Sequence, residues 1–272
     1  MSTMCTLCLH NMVGIIIVGQ NFTIYPFYLC QSVFFYRFFQ VRLVSALSSK
    51  SRPTRIMKRG LLILIEGLDR TGKTTQTTLL FEKLKPNAEL IKFPDRSTSI
   101  GQLIDKYLTE DDFQLPDQSV HLLFSANRWE LSQQLQRHLL AGKHVVMDRY
   151  VYSGIAYSSA KETSGMDLEW CLQPDKGLIK PDLLFFLSNG DVSDTSSRRG
   201  FGKERYETLQ FQDKVKGQFF NVFRALENYP KPNDRLRVLN VANCSIEKVA
   251  QEIWSIVQEK LAKEPPSEFT FF

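Results

Sequence analysis

Residues 1–56 of this 272-residue chain contain no aspartate and no glutamate, and residues 1–36 contain no lysine or arginine either. The basic residues of that leader are Arg37, Arg42, Lys50, Arg52 and Arg55. The other 29 of the 34 Lys+Arg, and all 29 Asp+Glu, lie in residues 57–272. The formal charge of +5 therefore belongs to the leader, and the body is formally neutral. A basic chain taken whole hints at nucleic acid or an acidic surface as partner. Confinement of the excess to the leader removes nucleic acid from the expected partners.

The leader also lacks an unbroken run of about 20 apolar residues, the length of a spanning helix. Met12–Val18 is apolar, but Gln20, Asn21, Thr23 and Pro26 interrupt the stretch beyond it. It has no basic residue before Arg37, whereas a transit peptide carries them along an amphipathic helix from its start. Three readings stay open for residues 1–56. They are an upstream stretch outside the working protein, a targeting leader, or a membrane anchor. Met57 stands just before the first clear strand and makes a natural start for a body of residues 57–272. The body alone is expected in the cytoplasm and nucleus. A transit peptide would send it to the mitochondrion, and only a retained anchor would place it at a membrane.

Cysteine is scarce in the body, where only Cys171 and Cys244 occur, which suits a reducing compartment. Cys5-x-x-Cys8 has no second Cys or His pair nearby, which argues against zinc. No internal repeat is visible. A hydrophobic fraction of 43% and a charged fraction of 23% are those of a globular protein with a full core, and exclude a wholly disordered or fibrous chain.

Leu61–Ile65 is a continuous apolar run, as expected of a strand buried on both faces. Shorter or more mixed runs come later at Glu89–Phe93, His144–Met147, Leu183–Leu187 and Leu236–Val241. Between them, Val120, Leu123, Phe124 and Leu131 share one helical face, as do Ile246, Val249, Ile253 and Val257. Strands alternating with helices predict an α/β fold, a parallel sheet with helices on both faces. The polar, Gly-containing stretch Ser188–Gly202 reads as a mobile loop, and Pro265–Phe272 as an irregular end.

Gly67-Leu68-Asp69-Arg70-Thr71-Gly72-Lys73-Thr74 satisfies G-x-x-x-x-G-K-[ST] between a buried strand and a helical segment. Such a loop turns backbone N–H groups toward phosphate oxygens, and the next helix adds its positive end. Lys73 is expected at the β- and γ-phosphates and Thr74 at Mg²⁺. Val145-Val146-Met147-Asp148 ends an apolar strand on an acid, which suits a metal site beside that loop. Arg70, Arg149, Arg198, Arg199 and Arg205 are candidates to neutralise charge on a transferred phosphoryl group. Arg128, about two helical turns beyond Val120 on an apolar face, needs a partner if buried.

Several further motifs carry a resemblance. They are Glu66 to Gln76, Phe93-Pro94-Asp95-Arg96-Ser97, Leu122 to Glu130, Asp148-Arg149-Tyr150, Ser153-Gly154 with Tyr157, and Gly200 to Glu207. In this order and spacing the body, from about Arg59 to the tail, resembles the thymidylate kinases. The leader has no counterpart there. The resemblance implies a P-loop kinase fold with a five-stranded parallel sheet and a short lid. It implies ATP and dTMP as substrates, Mg²⁺ as cofactor and a homodimer. It assigns ATP to Gly67 through Thr75, together with Arg199 and Arg205, and so includes Leu68, Thr71, Gly72 and Thr75. dTMP falls to Asp69, Phe93, Arg96, Phe124, Arg128, Arg149, Ser153, Gly154 and Tyr157. Within that set, Arg96 takes the dTMP phosphate. Phe124 stacks on the base and Arg128 donates to a base carbonyl. Asp69 accepts from the 3′-hydroxyl, Tyr157 crowds the 2′ position, and Phe93 walls the pocket. Catalysis is assigned to Lys73, Arg70, Arg149 and Asp69, and the metal to Thr74 and Asp148. A kinase for another nucleoside or monophosphate, and a regulator that binds these ligands without turnover, are the competing readings.

Overall fold

The computed structural model describes residues 58–189, 204–263 and 268–272. The leader, Arg198, Arg199 and most of the expected loop Ser188–Gly202 lie outside the described residues.

Strands β1 (Leu62–Gly67), β2 (Ala88–Lys92), β3 (His144–Asp148), β4 (Leu183–Ser188) and β5 (Leu236–Asn240) form one parallel sheet in the order β2-β3-β1-β4-β5. The helices among the described residues are α1 (Lys73–Leu84), α2 (Ser99–Thr109), α3 (Asp117–Leu140), α4 (Val151–Ser159), α5 (Leu168–Leu172), α6 (Leu209–Glu227) and α7 (Ile246–Ala262). A 3₁₀ turn, Gln173–Asp175, comes after α5. Each strand matches an apolar run read from the sequence. The central β1 is buried along its whole length, which is why it needs no polar alternation.

The period of 2 along β1 divides the core between two faces. Leu62 and Leu64 join Leu135 and Leu139 of α3, Ile155 of α4, and Val215, Phe219 and Phe223 of α6. Leu61, Ile63 and Ile65 join Leu80 and Leu84 of α1, and Val249, Ile253 and Val257 of α7. Ile246, expected on that last face, is instead exposed, because the helix begins there with Ser245 as its cap. Val120 and Phe124 pack with α2 residues Ile104, Tyr107 and Leu108 in a third, smaller cluster that roofs the site. Leu131 turns to the main core.

The tail departs from expectation. Phe271 bridges antiparallel to Ile179. Phe272 N–H donates to Leu178 O at 3.0 Å, and Lys180 N–H donates to Thr270 O at 2.7 Å. Three backbone bonds, the third from Gly177 N–H to Phe272 O at 3.2 Å, and a ring set among aromatics order residues 268–272, a long-range gain that local composition does not announce. No helix among the described residues is long and apolar enough to cross a membrane.

Candidate active site

The loop between β1 and α1 stands at the carboxyl end of the central strand. Gly72 has φ +92°, which suits glycine, and it starts α1 without a side-chain cap. By contrast, α2, α5, α6 and α7 are capped by Thr98, Asp167, Thr208 and Ser245. The first amides of α1 are therefore left for a ligand with negative charge. Lys73 is buried at the helix start, where its ammonium donates to Leu68 O. Burial lowers its pKa to about 8, and Arg149 beside it works in the same direction.

Two non-glycine residues in this region hold left-handed conformations, Arg70 at φ +63° and Arg149 at φ +65°. Each such residue costs about 1–3 kcal/mol and persists only where its surroundings enforce it. For Arg149 the enforcing partner is Glu66. This fully buried carboxylate accepts from Tyr150 N–H at 2.9 Å, Ser153 N–H at 3.1 Å and Ser153 Oγ–H. Burial raises the Glu66 pKa, although those bonds and Arg149 oppose the rise.

Arg149 in turn pairs with Asp69, and its guanidinium lies 5.2 Å over the Tyr157 ring. Asp69 also accepts from Tyr157 Oη–H at 3.0 Å and Gln212 Nε2–H at 2.8 Å. Burial alone would raise the Asp69 pKa, but Arg149 and Lys73 hold it below the usual range. Burial also works against the Arg149 charge, and Tyr157, Asp69, Asp148 and Glu66 outweigh it, so that its pKa is raised.

Asp148 ends β3 beside Ile65 of β1. Its Oδ2 accepts from Thr74 Oγ1–H at 2.7 Å, while its buried Oδ1 has no hydrogen-bond partner among the described residues. A hydroxyl and a carboxylate with one buried, unpaired oxygen form an oxygen donor set that fits Mg²⁺. The described residues contain no cluster of three or more His, Cys, Asp or Glu able to hold a metal. A Mg²⁺ ion here would therefore take its remaining ligands from phosphate and water, as this cation commonly does.

The loop opens onto a cavity of about 620 Å³. At one end stand Asp69, Arg70, Gly72, Lys73, Thr74 and Thr75, with Asp148 and Arg149. At the other stand Phe93, Phe124, Arg128, Ser153, Gly154 and Tyr157. Arg96 lines the rim. The structure thus gathers fifteen of the residues singled out from the sequence around one space. Leu68 and Thr71 lie behind the loop, where Thr71 Oγ–H donates to Leu68 O at 3.0 Å, and Gly67 belongs to β1.

Arg205 is placed elsewhere than expected. Its Nε–H donates to Tyr107 O at 2.9 Å, and one terminal nitrogen donates to Glu110 O at 3.0 Å and Phe113 O at 3.1 Å. The carbonyls at and just beyond the end of α2 attract a cation, and this arginine donates to them instead of facing the loop.

Several partners were not foreseen. Asp175, in the 3₁₀ turn, accepts from Arg128 Nε–H at 3.0 Å and from a terminal nitrogen at 2.6 Å, both groups being buried. Gly154 lets the Arg128 guanidinium approach, since a Cβ there would sit 2.8 Å from two of its nitrogens. Arg70 pairs with Glu207 at 2.9 Å, and Arg96 with Glu204 at 2.8 Å and with Asp105. His121 is buried beside this group, bonded to Ser158 Oγ at 2.7 Å and Cys171 O at 2.9 Å. Burial and the nearby Arg128 lower its pKa to about 4. Glu66 carried a usable signal, since it closes an apolar strand as Asp148 does. Asp175 and Gln212 carried none.

A family model described as thymidylate kinase matches residues 65–253. The chain is 43% identical over 207 residues to a thymidylate kinase of Danio rerio, covering 75% of this chain and 95% of that one. It is 41% identical over 212 residues to one from Homo sapiens, covering 72% and 98%. A solved thymidylate kinase structure from Candida albicans superposes with a TM-score of 0.70 at 45% identity, over 79% of this chain and 98% of that one.

Proposed function

Because this chain belongs to the thymidylate kinase family and phosphorylates dTMP to dTDP, with ATP as the donor the family uses, we propose how its residues divide that work. The observation that carries the proposal is the single cavity with a phosphate loop at one end and an aromatic, arginine-backed wall at the other.

The loop amides, Thr75 and Lys73 hold the ATP phosphates, and Arg70 and Arg149 neutralise the phosphoryl group in transit. Thr74 and Asp148 would hold Mg²⁺, which would offset the negative charge of the bound phosphates. Phe124 and Phe93 enclose the base, and Arg128, held by Asp175, presents its remaining N–H toward a base carbonyl. Tyr157 and Gln212 orient Asp69 to accept from the sugar hydroxyl. Arg96 receives the dTMP phosphate and exchanges Glu204 for it. Arg199 completes the ATP contacts. The rate comes from positioning and preorganised charge, with little covalent work left to the protein.

Competition among dTMP, dUMP, UMP and thymidine tests the acceptor. dTMP is expected to have the highest kcat/KM, and a preference for thymidine or UMP would overturn the assignment. Binding of ATP and dTMP without any dTDP formed would favour the regulator reading. Chelation with EDTA is expected to abolish turnover and excess Mg²⁺ to restore it.

The assembly is proposed to be a homodimer, on family grounds, and sedimentation equilibrium tests it. The catalytic body is proposed to be residues 57–272. N-terminal mass spectrometry of the protein from its native cells separates the readings of the leader. A start at Met57 dismisses it, a start between Arg37 and Arg55 supports import, and an intact Met1 in a membrane fraction supports an anchor. The compartment is set by that result.

A further inference from the structure

The C-terminal tail reaches the nucleotide cavity through one ring. Tyr150 lines that cavity and, on its other side, a second cavity bordered by Trp129, Ile179 and Phe271. It is therefore a partition between the site and the tail. Its ring stacks on Phe93 at 5.7 Å and meets the edge of Phe272 at 6.0 Å. Its hydroxyl is buried without a hydrogen-bond partner among the described residues. No polar bond anchors the far end of the side chain, so ring packing alone sets where it stands.

Phe272 is well placed to do so. Its ring also meets Tyr152 at 5.2 Å, and the Lys180 ammonium lies 5.3 Å above it. Its backbone is held on both sides, Phe272 N–H to Leu178 O at 3.0 Å and Gly177 N–H to Phe272 O at 3.2 Å. The tail is tied further back by Arg59, which donates to Glu268 O at 3.1 Å and lies 4.8 Å over Phe269. Arg235 donates to Thr270 Oγ1 at 2.9 Å. Tyr150 also comes directly after Arg149, and Phe93 N–H donates to Asp148 O at 2.9 Å. The aromatic stack and the strand-end turn are thus one mechanical unit.

We propose that Phe272 is a positioning residue for the acceptor pocket, its ring bracing Tyr150 and through it the Phe93 wall against the base. The inference rests on the reading of Phe93 and Phe124 as the base pocket. The bland alternative is that the tail only covers the core. That alternative predicts lower thermal stability and less active enzyme, with Michaelis constants unchanged.

The test uses the full chain with Phe272→Ala, Phe272→Leu and Phe272→Tyr, with KM for dTMP and ATP measured separately. Phe272 is only partly buried, and leucine keeps most of its apolar bulk, so Phe272→Leu decides the matter if the alanine variant does not fold. The expected result is a rise in dTMP KM of about tenfold for Phe272→Ala and about threefold for Phe272→Leu. ATP KM stays within about twofold, and Phe272→Tyr stays close to wild type. An unchanged dTMP KM in the leucine variant, or equal rises in both Michaelis constants, overturns the proposal. Phe124→Ala serves as the control for the pocket itself, since it should raise dTMP KM without touching the tail. If it does and the Phe272 series does not, the brace alone fails. If Phe124→Ala leaves dTMP KM unchanged, the pocket reading fails and takes the inference with it.

Discussion

The two ends of the cavity are built on different principles. The phosphate end comes mostly from one continuous segment, Asp69 to Thr75, with Asp148 added from the adjacent strand and Arg149 directly after it. Its work is done by backbone amides, one lysine and short-range geometry. The base end takes Phe93 from the end of β2, Phe124 and Arg128 from α3, and Ser153, Gly154 and Tyr157 from α4. It depends on buried charge pairs across elements, above all Arg128 with Asp175. Damage at the phosphate end should therefore appear as lost chemistry, and damage at the base end as lost stability together with lost dTMP affinity.

The largest effect expected is at the phosphate end. Lys73→Met and Arg70→Ala should each lower kcat by about 10³-fold or more while circular dichroism and melting temperature stay near wild type. Near-normal rates in both variants would remove the loop from the mechanism. At the base end, Asp175→Ala strands the buried Arg128 guanidinium, which should cost about 3–5 kcal/mol in urea unfolding. A wild-type unfolding midpoint would show that the pair is not what holds this wall, and the contrast between the two ends would collapse.

His121 offers a finer probe of the base end. The unfolded chain takes up the histidine proton near pH 6.5, but the folded chain only near 4. Between those values the unfolded state binds more protons, so stability falls as pH falls through that window, by up to about 3 kcal/mol. His121→Asn should flatten that part of the pH–stability curve, and an equally steep curve would assign the loss to the carboxylates instead. The smallest effect expected returns to the phosphate end. The ammonium of Lys73 is lost above pH about 8 in the free enzyme, so kcat/KM for ATP should fall about tenfold per pH unit beyond it. A flat profile to pH 9.5 or so would mean that the lysine keeps its proton without phosphate beside it.

The same contrast separates what was legible in the sequence from what was not. The phosphate loop, the acid at the end of β3 and the five strands come from local pattern, because a glycine turn, an apolar run and a strand end are properties of neighbouring residues. The helical face containing Val120 and Phe124 was also legible, but its partner, the α2 cluster of Ile104, Tyr107 and Leu108, was not. Arg205 looked like one more phosphate ligand by its place beside the loop arginines. Only the position of the α2 carboxyl end gave it another destination.

By itself the sequence determined a parallel α/β body carrying a nucleotide phosphate site, and it put the whole net charge outside that body. Backbone amides at a helix start and buried strands need only their own segment to be recognised. The tertiary structure decided which buried charges neutralise one another, as Asp69 does for Arg149 and Asp175 for Arg128. It also turned an apparently irregular tail into a brace behind Tyr150. A buried cation or an unanchored ring takes whatever partner the fold brings near. That partner is set by the packing of distant elements, which no local pattern specifies.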